Sequence, residues 1–169
     1  MRVMLITGAG GSGKSTIASM LAANNDFVYL DGDNEDTEFF PNGNQWLPKN
    51  EDLLKKAHEK ILLKTKVLVD DEKNVVIDYI IFGRYTEFID SFRTEFGDNF
   101  SLRVLFPSVK EIVKRDLERE CWTTGKERIN AVYSELEAAR DTIGGENYVD
   151  TTEESPEETF QDIISTLTK

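Results

Sequence analysis

The sequence predicts an α/β fold with a five-stranded, mostly parallel sheet and helices on both faces. Three observations carry this expectation. Short, continuous apolar runs such as Val3 to Ile6 and Val75 to Ile77 alternate with longer segments of helical periodicity. A continuous run marks a strand covered on both faces, as in parallel sheet, whereas a half-wet strand alternates. The runs stop at a glycine loop or an acid, at Gly8, Asp31 and Asp78. Nothing repeats, and 169 residues suit one domain that buries roughly 70 % of its unfolded surface.

Arg2 to Thr7 reads as the first and central strand, and the helix after the glycine loop runs from Thr16 to Ala23 with Ile17, Met20 and Leu21 at helical spacing. A second strand, Phe27 to Leu30, stops at Asp31-Gly32-Asp33 and completes a βαβ unit of about thirty residues. Residues 34–50 are polar and rich in turn formers, yet they hold Phe39, Phe40 and Trp46; such rings either bind a ligand or pack on the surface. Asn50 is the expected cap of a helix whose apolar positions are Leu53, Leu54, Ala57, Ile61, Leu62 and Val69. His58, the sole histidine, has no ligand types around it and is expected to be packed or solvated.

Asn74 to Asp78 forms a third strand, and Ile80 to Arg84 lead into a helix bearing Phe88, Ile89 and Phe92. After a fourth strand, Leu102 to Phe106, Ser108-x-x-Glu111 is a capping box that opens a helix carrying Lys114, Arg115 and Arg119. A further helix is predicted from about Glu127 to Asp141, then a short strand, Tyr148 to Asp150. Ser155-Pro156-Glu157-Glu158 is a second capping box, and the last helix buries Phe160, Ile163, Ile164 and Leu167.

The chemistry is concentrated in Gly8-Ala9-Gly10-Gly11-Ser12-Gly13-Lys14-Ser15, which satisfies GxxxxGK(S/T) between a strand and a helix. In that motif the glycines let backbone N–H groups curl around a polyphosphate, the helix points its positive end at it, Lys reaches the β and γ phosphates and the Ser hydroxyl ligates Mg²⁺. Gly8-x-Gly10-x-x-Gly13 also fits the dinucleotide fingerprint GxGxxG, with Asp31 and Asp33 near the ribose-binding distance. Lys14-Ser15 decides between them, because a dinucleotide helix needs neither a cation nor a metal-ligating hydroxyl in its first turn. The expected ligands are therefore ATP, held by Gly8, Gly10, Gly11, Ser12, Gly13, Lys14, Ser15 and Thr16, and Mg²⁺.

With 32 acidic against 20 basic residues the formal net charge is −12, and the basic residues form no tract that would track a nucleic-acid backbone. Extended nucleic-acid binding is not expected, although a nucleotide or a strand end in a local pocket remains open. Cys121 is the only cysteine, so no internal disulfide is expected, and no segment approaches a membrane span. These features read as a cytoplasmic protein, as monomer or homodimer; a small-molecule hydroxyl acceptor is expected from the strand-end acids rather than from composition.

Open α/β sheets bind ligands beyond the carboxyl ends of their strands. Here those ends carry the glycine loop, Asp31, Asp33, Asp78 and Asp150. Acids beside a phosphate site serve Mg²⁺ coordination and proton removal from an acceptor hydroxyl; the alternative is that they cap the following turns. Positive charge on the outer side of the phosphates is expected from a lid, Arg115 through Arg119 and Lys126 to Arg128, with Arg115 and Arg119 on one helix face. A solvated charged face paired to Asp116, Glu118 and Glu120 gives the same pattern. Residues 34–70 form the substrate side, with Trp46, Asp33, Asp78 and Arg84 as candidate substrate contacts and either Asp33 or Asp78 as the base.

On these motifs the chain resembles the small P-loop kinases, the group of adenylylsulfate kinase, gluconate kinase, shikimate kinase and chloramphenicol phosphotransferase. The resemblance spans nearly the whole chain: Gly8 to Ser15, Leu30-Asp31-Gly32-Asp33-Asn34, the acid after the third strand, the Arg115/Arg119 helix and Val149-Asp150-Thr151-Thr152. It implies the three-layer P-loop NTPase fold and a kinase, with Asp31 acting on Mg²⁺, Asp33 on the substrate hydroxyl and Asp150 to Thr152 near the adenine. The departures lie on the acceptor side. Glu35-Asp36 stands where adenylylsulfate kinase has an arginine, and Asp78-Tyr79-Ile80 stands where shikimate kinase has a glycine triplet. A nucleoside, nucleotide or 5′-hydroxyl-end kinase is the close rival, with Trp46 or Phe39 stacking a base. A GTPase switch or a non-catalytic nucleotide binder is the weaker alternative: Asp141-Thr142-Ile143-Gly144 falls too late for the DxxG of GTPases and no NKxD exists, and Lys14, Ser15, Asp31 and Asp33 are all in place for catalysis.

Overall fold

The structure, a computed structural model, describes residues 1–43, 45, 47–81, 83–119 and 123–167. Trp46 and Cys121, on which two of the sequence expectations rest, lie outside these residues. Strands β1 (Val3–Thr7), β2 (Phe27–Asp31), β3 (Asn74–Asp78), β4 (Phe100–Leu105) and β5 (Tyr148–Val149) form one sheet in the order β2-β3-β1-β4-β5. Every pairing is parallel. Ile6 lies opposite Asp78, and Asp78 opposite Asp31, so the carboxyl ends of three neighbouring strands finish level.

The helices are α1 (Lys14–Asn24), α2 (Gly32–Glu35), α3 (Glu51–Asp70), α4 (Tyr85–Phe96), α5 (Val109–Leu117), α6 (Lys126–Ala138), α7 (Arg140–Ile143) and α8 (Pro156–Leu167). Successive residues of a strand point to opposite faces, and the continuous apolar runs supply both. Val3, Leu5, Val75 and Ile77 pack in one layer with Ile61 of α3, Phe88 and Phe92 of α4, Ile112 of α5 and Ile129 of α6. Met4, Ile6, Val76 and Leu105 pack on the other face with Ile17 and Leu21 of α1 and Phe160 and Ile163 of α8. The result is the three-layer α/β architecture expected from the sequence. Among the described residues no helix is long and apolar enough to cross a membrane.

Local expectations differ from the structure where tertiary contacts decide. Asn50 occupies the cap of α3 without a side-chain cap bond, because it closes a 3₁₀ turn, Pro48–Asn50. Leu53 is exposed; α3 turns Leu54, Ala57, His58, Ile61 and Thr65 inward instead. The box at Ser108 is half formed. The Ser108 hydroxyl accepts from Glu111 N–H at 3.4 Å, but the Glu111 carboxylate accepts from Arg115 Nε at 3.0 Å. The box at Ser155 is complete, with Ser155 N–H donating to Glu158 at 2.8 Å and Glu158 N–H to the Ser155 hydroxyl at 3.3 Å. The helix expected to reach Asp141 ends at Ala138, and α7 is a separate turn closed by Gly144. The fifth strand ends at Val149, one residue early, because Asp150 folds back on Thr152.

His58 is packed, as expected. It is 7 % exposed, with its ring 4.5 Å from that of Phe88 and edge-on to Tyr79 at 5.7 Å. Burial, and then the charge of Arg84, hold its pKa down at about 4; Lys55, Glu59 and Glu87 line the same small cleft. A base whose folded pKa is depressed contributes stability above its unfolded pKa that is lost as pH falls toward the folded value. The wild-type chain should therefore lose stability relative to His58→Leu between about pH 6.5 and 4, by up to roughly 3 kcal/mol. Urea unfolding of both chains across that range checks this; parallel pH profiles would contradict it.

Candidate functional site

β1 runs into a loop whose conformation only glycine supports at two points. Gly11 has φ +91° and its missing Cβ would lie 2.8 Å from the Ile112 carbonyl oxygen; Gly13, at φ +100°, starts α1. The first turn of α1 carries no acid and no side-chain cap, which leaves its N–H groups for an anion. Lys14 is 5 % exposed, and its ammonium donates to the Ala9 carbonyl at 3.3 Å, across the loop. The Ser12 hydroxyl is buried without a hydrogen-bond partner. Outside the loop lies a cleft of about 430 Å³ lined by Gly13, Thr16, Arg115, Arg119, Thr151 and Glu154, among others. The cradle, the orphaned hydroxyl and the buried ammonium fit a triphosphate.

The carboxylates gather at the ends of β2 and β3. Asp31 is exposed and caps α2, accepting from Asn34 N–H at 3.0 Å. Gly32 lies under the Tyr79 ring, where a Cβ would come within 2.6 Å of Cδ2, so a side chain there would push α2 off the sheet edge. Asp33, the next residue, is half-buried within electrostatic reach of Lys14. Burial raises its pKa to about 6 against the pull of Lys14, and Asp78, Asp36 and Asp31 add to the rise. Asp78 is 4 % exposed; Oδ2 accepts from the Tyr29 hydroxyl at 3.2 Å and Oδ1 has no partner. Tyr29 also interacts with Ser15 and is held far above its ordinary pKa, first by burial and then by Asp78 and Asp31.

Asp36, 1 % exposed, accepts from the Tyr79 hydroxyl at 3.2 Å and from Gln45 Nε2 at 3.4 Å. Burial lifts its pKa to about 6, opposed by those two hydrogen bonds and by Arg128. Arg128, on α6, is lowered by burial and raised by Asp33 and Asp36, which places its charge opposite both.

Arg115 and Arg119 both line the cleft at the loop. Arg115 donates to the Thr151 carbonyl at 2.8 Å and to Glu111, while Arg119 lies 3.6 Å from Asp116. The buried Asp116 accepts from Thr124 N–H at 2.9 Å and Gly125 N–H at 3.1 Å and pins that turn over Gly10, whose missing Cβ would collide with Thr124. Arg84 lies apart from this cleft, ion-paired to Glu51 and Glu87. Asp150 is exposed and accepts from Thr152 N–H at 3.0 Å and its hydroxyl at 2.5 Å; it lines a neighbouring pocket with Phe106 and Arg140, whereas Thr151 lines the loop cleft. Tyr29 carries no local signal in the sequence, and Arg128 stands there only at the margin of the lid. Asp36 and Tyr79 are visible only as departures, an acid in place of an expected arginine and a ring in place of a glycine.

Among the described residues no three carboxylates, imidazoles or thiols gather to hold a metal. A Mg²⁺ shared with phosphates does not require such a cage, since it keeps several waters and takes one or two protein oxygens. Ser15 and Asp31 are oxygen donors of that kind.

No protein-family model matches the chain, and no curated protein sequence does. Solved structures match it over almost its full length. A sugar kinase from Janibacter sp. HTCC2649 superposes with a TM-score of 0.80 at 17 % identity, over 99 % of this chain and 95 % of that one. A shikimate kinase from Bacteroides thetaiotaomicron gives 0.70 at 17 %, over 99 % of each chain. A deoxyadenosine kinase from M. mycoides, solved with bound dATP, gives 0.60 at 18 %, over 99 % of this chain and all of that one. The fold is that of the P-loop kinases.

Replacing Gly32 by Ala should destabilise the chain by about 1–3 kcal/mol, the usual cost of inserting a methyl where no room exists. Chemical unfolding with an unchanged denaturant slope measures it, and an unaltered midpoint would show that the Tyr79 ring yields freely.

Proposed function

We propose that the chain is an ATP-dependent phosphotransferase that moves the γ-phosphoryl group of ATP to a hydroxyl of a small metabolite. The observation that carries this reading is the buried Lys14 set against Asp33, with the glycine loop on one side and the β2 and β3 carboxylates on the other. A half-buried carboxylate beyond the lysine is suited to take the proton of an acceptor hydroxyl. The kinase fold of the solved structures supports the same class.

In this reading the loop and Lys14 hold the β and γ phosphates, and the Thr151 side of the cleft receives the base. Asp33 accepts the proton of the acceptor hydroxyl as its oxygen bonds to the γ-phosphorus; the bond from that phosphorus to the β–γ bridging oxygen breaks and ADP leaves. Mg²⁺, held by Ser15 and Asp31, would offset charge on the phosphate oxygens. Arg115 and Arg119 sit on the outer side of the loop as cations for the transferring group, within a lid of about residues 115–128. Residues 34–70 frame the acceptor, and the lone cysteine suits a cytoplasmic enzyme. Phe39, a ring that the rival using a base or a strand end as acceptor would stack on, is partly buried beside Phe40 with Lys60 5.9 Å from its centre.

Lys14→Ala should lose ATP binding and turnover together. Asp33→Asn should bind ATP nearly as the wild type does while kcat falls by about 10² or more. Calorimetric ATP titration beside acceptor-dependent ADP release separates the two; full turnover in Asp33→Asn would transfer the base to Asp78.

A further inference from the structure

On the acceptor side of the lysine the described side chains carry an excess of negative charge, and the nearby cations already face carboxylates. Asp31, Asp33, Asp36 and Asp78 act on one another there. Arg128 faces Asp33 and Asp36. Arg84, on the loop that leaves β3, gives one guanidinium nitrogen to Glu51 and another to Glu87. Lys60 and Lys64, which flank α2, are paired with Glu35, at 3.3 and 2.7 Å. If Asp31 is taken by the metal and Asp33 by the reacting hydroxyl, Asp36 and Asp78 still oppose Arg128 two to one.

A second, independent observation points to a ligand. Asp78 is almost fully buried, yet its Oδ1 has no partner, while its neighbours in space are Tyr29, Asp31 and Asp33. A buried acceptor atom left unpaired is destabilising unless something donates to it. A hydroxyl or an ammonium donates; a carboxylate or a phosphate has no proton to give and adds like charge. Specificity of this sort works by repulsion as much as by attraction.

We infer that the acceptor is a polyhydroxyl compound that is neutral or amine-bearing, and that Asp36 and Asp78 reject its carboxylated or phosphorylated congeners. This rests on the phosphotransferase reading above. Asp78 Oδ1 accepts from a hydroxyl or ammonium of the acceptor next to the one that reacts. Asp36, held by Tyr79 and Gln45, sets the sign of the field without needing to touch it.

The test is acceptor-stimulated ADP release by the full chain across matched trios that differ in charge, such as glucose, glucosamine and gluconate, extended to inositols, amino-cyclitols and their phosphates and to nucleosides and nucleotides. In the trio that supports turnover, the neutral or amine member should exceed its anionic congener in kcat/KM by at least about tenfold, and Asp78→Asn with Asp36→Asn should narrow that ratio. A turned-over anionic congener that equals or exceeds the others overturns the inference and leaves the kinase reading standing. No stimulation by any member while ATP still binds overturns both. If the double variant fails to fold, the single Asp36→Asn serves: a narrowed ratio supports the inference and an unchanged ratio overturns it.

Discussion

The arrangement depends on one electrostatic opposition, the buried ammonium of Lys14 against the carboxylate of Asp33. Lys14 is fixed by the loop it closes, and Asp33 by the glycine before it, which lets α2 settle under Tyr79. Desolvation pushes Asp33 toward its protonated form and Lys14 pulls it back, so the carboxyl sits where a modest change in surroundings alters its charge. In the proposed reading, a triphosphate at the loop would bring negative charge to Lys14 and weaken that pull, which would couple nucleotide binding to the readiness of Asp33 to take a proton.

The sheet explains why these groups meet. Three parallel strands end level, so a glycine loop after β1, an acid pair after β2 and an acid at the end of β3 converge without any long-range search. Parallel strands need crossovers, and the crossovers supply the parts that cover the site: α5, whose Asp116 holds the Thr124–Gly125 turn over the loop, and α6, which brings Arg128 over the acids. One face of the sheet is closed by α1 and α8 around Met4 and Ile6, and this anchors the loop from behind.

Much of this was legible in the sequence, for reasons that can be named. Val3 to Ile6 is apolar at every position, which only a strand buried on both faces requires, and the glycine-lysine-serine spacing has a backbone mechanism behind it. The aspartates were legible because strand ends are where such sheets work. What could not be read is pairwise geometry: that Tyr29 ties Asp78 to Ser15, that Tyr79 holds Asp36, and that Arg84 is taken up by Glu51 and Glu87. All but Arg84–Glu87, three residues apart, join residues far apart in the chain, and nothing local announces them. Capping boxes show the same limit, since Ser155–Glu158 closes fully while Glu111 prefers Arg115. A local motif proposes partners, and the tertiary neighbours choose among them.

If the carboxylates beyond Lys14 receive a hydroxyl, phosphoryl transfer runs to it. ³¹P NMR of ATP with the chain, Mg²⁺ and a polyhydroxyl acceptor reads this transfer. A new phosphate-monoester resonance should grow in step with ADP; ADP rising only with inorganic phosphate across acceptors of every charge would contradict it.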